Sequence, residues 1–250
     1  MENLGGLTQN DNAVLLMLSG GRDSFLSACR LIEDGWCVHM ITYDNGCISN
    51  VEQAQKVAER IVATYGENCA KFVGIYSITA NLYRFQQPYL YTQIQDSSQH
   101  YPYLRPAQIP CLACHTGMYV VSIAYCKAHG ILRMAEGARE SQKFFVELPE
   151  MIQRYKDLTR QNGIDLLLPV YHLTDDWERK LCLAEYGFIP KTTEPQCWLG
   201  YPLGDTLNSN EIRSLVAYYD DKVAPQLPKL IETAVKKLSL PRSMHAKGLQ

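Results

Sequence analysis

Short apolar runs alternate with segments of helical periodicity along most of the chain. The apolar runs are typical of strands buried on both faces, and they predict strands at residues 13–18, 37–43, 71–78, 131–136 and 164–168. Apolar positions three and four residues apart predict helices between the strands, at residues 23–34, 51–65, 116–129, 143–162 and 174–186. This alternation predicts an α/β fold in which a doubly wound, mostly parallel sheet has helices on both faces.

The pattern changes near residue 200, where a polar loop leads into a mostly helical segment. A chain of 250 residues suits one large domain or one domain with a small appendage. We therefore predict one α/β domain over residues 1–200 and a helical C-terminal extension over residues 201–250. Ligands of open parallel sheets bind at the carboxyl ends of the strands, so functional motifs are expected at that edge.

The composition, with 46% hydrophobic and 20% charged residues, is that of an ordinary globular protein. The chain has no continuous apolar run long enough to span a membrane, and its first residues lack the apolar stretch of a secretory signal. We therefore expect a cytoplasmic location, where most of the nine cysteines are free thiols because the compartment is reducing. A net charge of −2 gives no general attraction to nucleic acid.

A glycine-containing loop follows the first predicted strand and opens the first predicted helix: Ser19, Gly20, Gly21, Arg22, Asp23 and Ser24. Its two glycines allow a sharp turn and a close approach of the backbone to a ligand. The N–H groups and the dipole of a helix start form an anion site, to which the two serines add hydroxyl donors. Asp23 would repel a phosphate unless Mg²⁺ binds both groups. We therefore predict a phosphate site with Mg²⁺ at Asp23, the alternative being a capped helix after a glycine turn.

The loop resembles the Ser-Gly-Gly-x-Asp-Ser signature of the PP-loop ATP pyrophosphatases, a superfamily with a HUP-like fold. The resemblance implies that ATP is cleaved between its α- and β-phosphates, that a carbonyl oxygen of the substrate is adenylated, and that a nucleophile then displaces AMP. It also implies that Asp44, at the end of the second strand, approaches the adenosine. Arg139 follows the fourth strand and is a candidate contact to the phosphates or the substrate, an ordinary surface arginine being the alternative.

Cys111 and Cys114 form a Cys-x-x-Cys pair ahead of the helix predicted to begin near Thr116. A helix start lowers the pKa of a nearby thiol. A metal or Fe–S site, a redox pair and a chance pair are all open, and one pair cannot complete a cluster. Cys197, in a later loop, is the candidate third thiol. Because both segments should lie at the carboxyl edge of the sheet, we predict that the three sulfur atoms converge.

The segments around these cysteines resemble the catalytic domain of tRNA thiouridylases and the cysteine set of Fe–S-dependent tRNA thiolases. Residues 105–114 match a proline-containing approach to the first cysteine, and residues 191–200 match a Thr-x-x-x-Cys-aromatic-aliphatic-Gly context. The resemblance implies an adenylating sulfurtransferase with Asp23, Cys111 and Cys197 as catalytic residues. It further implies that Cys111, Cys114 and Cys197 either hold a [4Fe–4S] cluster or carry out a persulfide and disulfide cycle.

The acceptor of the sulfur is not identified by these motifs. A free nucleobase or nucleotide is favoured by the net charge of −2, and tRNA is the other candidate. The obvious basic surface consists of Lys229, Lys236, Lys237 and Lys247, which is also the pattern of a solvated helix face. A sulfur donor is an implied partner, and a homodimer is an open alternative. Other functions that the motifs permit are amide or nitrile formation with ammonia and non-catalytic nucleotide binding in a partner subunit.

Overall fold

The computed structural model describes residues 12–81, 84, 101–105, 107–187, 196–197 and 206–239. The strands are β1 (Ala13–Met17), β2 (Cys37–Asp44), β3 (Ile48–Ser49), β4 (Ala70–Ser77), β5 (Arg133–Glu136), β6 (Asp165–Leu167) and β7 (Gln196–Cys197). The α-helices are α1 (Arg22–Glu33), α2 (Glu52–Tyr65), α3 (Gln108–His129), α4 (Pro149–Gln161), α5 (Asp176–Glu185), α6 (Ser209–Tyr218) and α7 (Leu227–Leu238). A π-helical turn (Tyr219–Val223) and a 3₁₀ turn (Ala224–Gln226) connect the last two helices.

Five of the described strands form a parallel sheet in the order β4-β2-β1-β5-β6. The central strand β1 is buried throughout. Because successive side chains of a strand point to opposite faces, Leu15 and Met17 pack into one hydrophobic core, whereas Val14 and Leu16 pack into the other. The structure therefore confirms the predicted α/β class with a doubly wound parallel sheet.

The two cores assign the helices to the two faces of the sheet. Residues of α1, α2 and α5 pack into the core that contains Val14 and Leu16. Residues of α3, α4, α6 and α7 pack into the core that contains Leu15 and Met17. This second core includes Leu215, Leu230 and Ile231, so the helical C-terminal region packs directly on the sheet domain. The boundary at residue 200 stays a prediction, since residues 198–205 lie outside the described residues.

Helix α3 is longer than the sequence pattern predicted, because it begins at Gln108 and not near Thr116. Cys111 and Cys114 therefore lie inside the helix and not ahead of it. By length and mean hydropathy α3 could cross a membrane, but 72% of its most apolar window is buried inside the protein. That burial is typical of a core helix, and we treat α3 as one.

The segment before α4 also differs from the predicted helix of residues 143–162. Two 3₁₀ turns, Glu140–Gln142 and Phe145–Glu147, precede α4, which begins at Pro149. Lys143, between the turns, has a left-handed backbone with φ of 53°. These turns fold back across the carboxyl edge of the sheet and contribute side chains to the cavity there.

Candidate active site

A cavity of about 690 Å³ lies at the carboxyl edge of the sheet, where the loops after β1, β2 and β5 meet. Its lining joins the phosphate loop to the three candidate cysteines: Ser19, Gly21, Arg22, Asp23, Ser24, Cys111, Cys114 and Cys197. A second groove, of about 700 Å³, runs between α4 and α7 and is lined by none of the predicted site residues. The first cavity is therefore the candidate active site.

The phosphate loop takes its shape from close packing at its glycines. Gly20 has a φ of +80°, and a Cβ there would lie 2.7 Å from the Cα of Ala54 on α2. A Cβ at Gly137, after β5, would lie 2.7 Å from the backbone nitrogen of Ser24. A Cβ at Gly21 would meet only the Ser19 hydroxyl, at 3.4 Å. The missing side chains of Gly20 and Gly137 thus allow α2 and the end of β5 to pack directly against the backbone of the phosphate loop, whereas Gly21 borders the open cavity.

The start of α1 is open towards the cavity. Its N-cap residue, Gly21, provides no side-chain cap. The Ser19 and Ser24 hydroxyls lie 3.1 Å apart, and the Ser24 hydroxyl donates to the Gly21 carbonyl at 3.0 Å. A helix N-terminus with hydroxyl groups beside it is a suitable site for a phosphate.

Asp23 is surrounded by donors from two distant segments. Nη1 of Arg179 lies 3.0 and 3.3 Å from its two carboxylate oxygens, and Nε of Arg139 lies 3.2 Å from Oδ2. The Gln142 amide also donates to Oδ2 at 2.9 Å. Both carboxylate oxygens are therefore engaged by cations, and the arrangement does not fit the Mg²⁺ that the sequence predicted at Asp23. We derive no step through Mg²⁺.

The two arginines supply more positive charge than Asp23 neutralises. Their side chains are only 6% and 10% exposed for Arg179 and Arg139. Arg179 also contacts Asp176, whose side chain is 53% exposed and therefore largely hydrated. Nε of Arg179 is buried and has no hydrogen-bond partner among the described residues. The buried guanidinium groups beside the phosphate loop therefore provide positive charge and a free N–H donor for an anionic ligand.

Asn45 brings two of the candidate cysteines together. Its side-chain amide donates to the sulfur of Cys114 at 3.2 Å and to the sulfur of Cys197 at 3.4 Å. Both sulfurs thus lie within about 7 Å of each other, as expected for groups that share one small site. The antiparallel pairing of β3 with β7, in which Ile48 opposes Cys197, holds the later loop against the end of β2.

Burial makes the thiols of α3 weak acids, contrary to the sequence expectation. Burial is the largest cause that raises the pKa of Cys111 to about 12 and the pKa of Cys114 to about 11. The amide of Asn45 partly opposes the shift at Cys114. The helix start had been expected to lower both pKa values, but the two cysteines lie in a buried part of α3. Both are therefore protonated thiols at neutral pH in the ligand-free cavity.

The structure places the other predicted residues as follows. Arg22 and Arg139 line the cavity. Asp44 is not among the cavity residues in the described part of the chain, and its Oδ1 accepts a hydrogen bond from the backbone of Gly46 at 2.7 Å. Its contact with a nucleotide stays a prediction. No three His, Cys, Asp or Glu side chains of the described residues are grouped closely enough to bind a single metal ion.

Several cavity residues had no assigned role in the sequence interpretation: Asn45, Glu136, Gln142, Glu147 and Arg179. Asn45 and Glu136 could have been found from their positions at strand ends, which is where ligands of parallel sheets bind. Gln142 lies in a segment predicted to be a loop, and Glu147 lies in the predicted helix of residues 143–162. No local sequence signal marks either residue as part of a ligand site.

The model of the family described as thiamine biosynthesis protein (ThiI) matches residues 9–142, more than half of the chain. The chain belongs to the ThiI family. It is thereby a member of the PP-loop ATP pyrophosphatase superfamily, as its phosphate loop indicated. No curated protein matches the chain in sequence.

Three solved structures align with this ThiI-family protein, and the one with a TM-score above 0.5 shares its fold. A 4-thiouridine synthetase in complex with RNA and bound ATP aligns with a TM-score of 0.61 and 16% identity, over 90% of this chain and 53% of its own. This chain thus spans about half the length of that synthetase. NMN synthetase from Francisella tularensis aligns with a TM-score of 0.46 and 12% identity, over 96% and 89% of the two chains. A predicted subunit of tRNA methyltransferase from Methanocaldococcus jannaschii aligns with a TM-score of 0.43 and 19% identity, over 68% and 73%.

Replacement of Gly21 by valine should abolish ATP binding without unfolding the protein. The space around its Cβ position is free of other side chains except Ser19, so the added methyl groups would project into the cavity and block the phosphates. Isothermal titration with ATP measures the loss, and the thermal unfolding midpoint serves as the control. ATP affinity equal to that of the wild type would contradict the assignment of this loop.

Replacement of Asp23 by alanine should lower the free energy of unfolding by about 3 kcal/mol, because two buried guanidinium groups lose their counter-ion. Asp157→Ala is the matched control. Its ion pair with Arg160 is exposed, so its loss should cost less than about 1 kcal/mol. Urea unfolding of both variants checks the difference, and equal losses of stability would show that the Asp23 cluster is not a buried charge network.

Proposed function

We propose that this protein uses ATP to activate a carbonyl oxygen of a nucleobase and then replaces that oxygen with sulfur, releasing AMP and pyrophosphate. The observation that carries the proposal is that one cavity contains both a phosphate loop and three cysteines. Membership of the ThiI family supports it, as does the fold shared with a 4-thiouridine synthetase that binds ATP and RNA.

The ATP half of the reaction uses the positive wall of the cavity. The phosphates would lie at the N-terminus of α1, where Arg139 and Arg179 stand beside Asp23. Fixed cations stabilise the charge that develops on departing pyrophosphate, because they need no reorganisation during the reaction. Asp23 acts as a positioning residue that holds the two guanidinium groups in place.

The sulfur half uses Cys197 and Cys114 as a relay. The Cys197 sulfur would attack the outer sulfur of a persulfide donor, whose S–S bond breaks as the donor leaves as a thiol, so that Cys197 carries a persulfide. Its terminal sulfur would then attack the adenylated carbon while AMP leaves with the electron pair of the C–O bond. The Cys114 thiolate then attacks the Cys197 sulfur, which forms a disulfide and releases the thiolated base. A reducing dithiol restores the two thiols. The shared contact with Asn45 supports this pairing.

A [4Fe–4S] cluster is the alternative use of the same three cysteines. Cys111, Cys114 and Cys197 line one cavity and fit as its thiolate ligands, although they do not form a single-ion site. When bound, such a cluster would supply an open iron that carries the sulfur atom. Cys111 and Cys114, which are protonated in the ligand-free protein, would lose their protons on binding.

Anaerobic purification distinguishes the two uses. Iron and sulfide in stoichiometric amounts, lost in the Cys114→Ser variant, would establish the cluster. An iron-free protein that forms a Cys114–Cys197 disulfide during turnover would establish the relay.

A uridine-type base in tRNA is the acceptor that the comparisons support, because the similar synthetase was solved in complex with RNA. A free nucleobase or nucleotide is the acceptor that the net charge supports. The homodimer and the cytoplasmic location stay predictions.

Cys197→Ser should abolish formation of the thiolated base but retain pyrophosphate release in a single turnover, because the adenylation step does not use the thiol. Nucleoside mass spectrometry and pyrophosphate release are measured with unmodified tRNA transcripts and with UMP. Cys37→Ser, at the opposite end of β2, is the control and should form product normally. Thiolated product from the Cys197 variant would remove the sulfur relay from the proposal.

Lys143→Glu should weaken tRNA binding and lower the slope of log K against log salt by about 1, since each lost phosphate contact removes one released counter-ion. Lys143 is exposed and lies between cavity residues Gln142 and Phe144. The paired change Lys236→Glu/Lys237→Glu is the control. Lys236 lines the second groove, between α4 and α7, and not the candidate active site. It also already forms an ion pair with Glu232.

A titration with bulk tRNA at low and moderate salt measures both variants. Lys247, the remaining lysine of the C-terminal set, lies outside the described residues. Salt-independent or absent binding, together with AMP formation stimulated by UMP, would overturn tRNA in favour of a free nucleotide.

A further inference from the structure

Two carboxyl groups in the cavity have no part in the reaction described so far. Glu136 is the last residue of β5, and its side chain is only 5% exposed. Its Oε2 lies 3.3 Å from Nε2 of His115, the residue after Cys114. Its Oε1 is buried and has no hydrogen-bond partner of normal geometry among the described residues. A buried carboxylate oxygen without a partner in a ligand cavity indicates a group that meets the ligand.

Glu147 is the second carboxyl group, and it lies at the end of the second 3₁₀ turn and lines the same cavity. Its Oε2 accepts a hydrogen bond from the backbone of Arg139 at 3.4 Å. Burial, followed by the negative charge of Glu136, raises the pKa of Glu147 to about 8. At neutral pH Glu147 is therefore mostly a neutral carboxyl group beside Glu136.

Glu136 lies between the two halves of the proposed reaction. It stands opposite Met17 in the register of β5 with β1, so it adjoins the strand from which the phosphate loop emerges. Gly137, the next residue, is in close contact with the backbone of Asp23 and Ser24. On the other side, His115 connects Glu136 to the turn of α3 that carries Cys114. A substrate bound between the phosphate loop and the cysteines would therefore lie next to the Glu136 carboxylate.

We propose that Glu136 is the base that removes a proton from the acceptor while ATP adenylates it, and that neutral Glu147 keeps the pair at a single negative charge. This inference rests on the proposed function. It assigns His115 as a positioning residue, since its imidazole lies 3.3 Å from Oε2 of Glu136 and leaves Oε1 without a hydrogen bond of normal geometry among the described residues. The Tyr119 hydroxyl also faces this carboxyl group.

The proton, the bonds and the electron pairs balance in this step. The acceptor has an N–H group beside its reacting carbonyl. As the carbonyl oxygen bonds to the α-phosphorus, the N–H proton passes to Glu136, and the released electron pair forms the C=N bond of the adenylated base. The bond between the α-phosphorus and the bridging oxygen breaks, and pyrophosphate leaves with that electron pair. General bases held in this way contribute about 10²–10⁴-fold to rate.

The groups that face Glu147 determine the sign of its pH effect. Glu136 from β5 and Asp23 from α1 raise its pKa, whereas the Arg139 backbone and guanidinium lower it. Ionisation of Glu147 above about pH 8 would add a second negative charge beside Glu136 and the phosphates. The adenylation rate should therefore be highest below that pH and fall as pH rises through it.

The test measures pyrophosphate release in a single turnover, with unmodified tRNA transcripts and with UMP as acceptors, across pH 6–10. Glu136→Gln should lower the rate at least about 100-fold, with ATP affinity and thermal unfolding close to those of the wild type. Glu147→Gln, which carries a permanently neutral group, should lose the decline of rate at high pH. Glu150→Gln, an exposed change at the start of α4, is the matched control and should keep the wild-type profile.

Each outcome bears on a different claim. Pyrophosphate release by Glu136→Gln at the wild-type rate would overturn the base, and an unchanged alkaline decline in Glu147→Gln would overturn the carboxyl pair, while the proposed function would stand in both cases. If the wild type binds ATP but releases no pyrophosphate with either acceptor, the proposed function fails and the base with it.

Discussion

The carboxylate of Asp23, held between two buried guanidinium groups, ties together the three segments that form the cavity. Asp23 lies in the first turn of α1, Arg139 follows β5, and Arg179 lies on α5. Burial of these charges is tolerated only because they are paired, since an isolated buried charge costs several kcal/mol. Two guanidinium groups share the Asp23 carboxylate, and the second partner of Arg179, Asp176, is an exposed carboxylate, so positive charge remains beside the phosphate loop for a triphosphate. The site therefore depends on an ion cluster that ligand binding would complete.

The fold was largely predictable because its signals are local. Each of the five sheet strands is a short apolar run, and the Gly-rich loop after β1 marks the phosphate site without any knowledge of tertiary contacts. The helix boundaries were less predictable. Pro110 suggests a break, yet it lies in the first turn of α3, where a missing N–H is tolerated. Pro149, as the first residue of α4, is a start signal that the longer apolar pattern concealed.

The site was predictable only in part, because its decisive contacts join residues far apart in sequence. Arg179 and Asp23 are separated by 156 positions, and Asn45 and Cys197 by 152. The pairing of β3 with β7 involves two residues on each side, too few to produce a strand pattern. The pKa of Cys111 was expected to fall and instead rises, because burial of α3 depends on packing that no local sequence encodes. Burial outweighs the helix dipole at that position.

The electrostatics of the cavity also order the two halves of the proposed reaction. In the ligand-free protein burial keeps Cys111, Cys114 and Glu147 neutral, and Asp23 is paired with Arg139 and Arg179. The phosphates of ATP would add negative charge and make formation of a thiolate at Cys114 still less favourable. Departure of pyrophosphate removes most of that charge while Arg139 and Arg179 remain. In the proposed order, thiolate formation at Cys114 is therefore less unfavourable after pyrophosphate has left than while ATP is bound, so the sulfur steps follow adenylation.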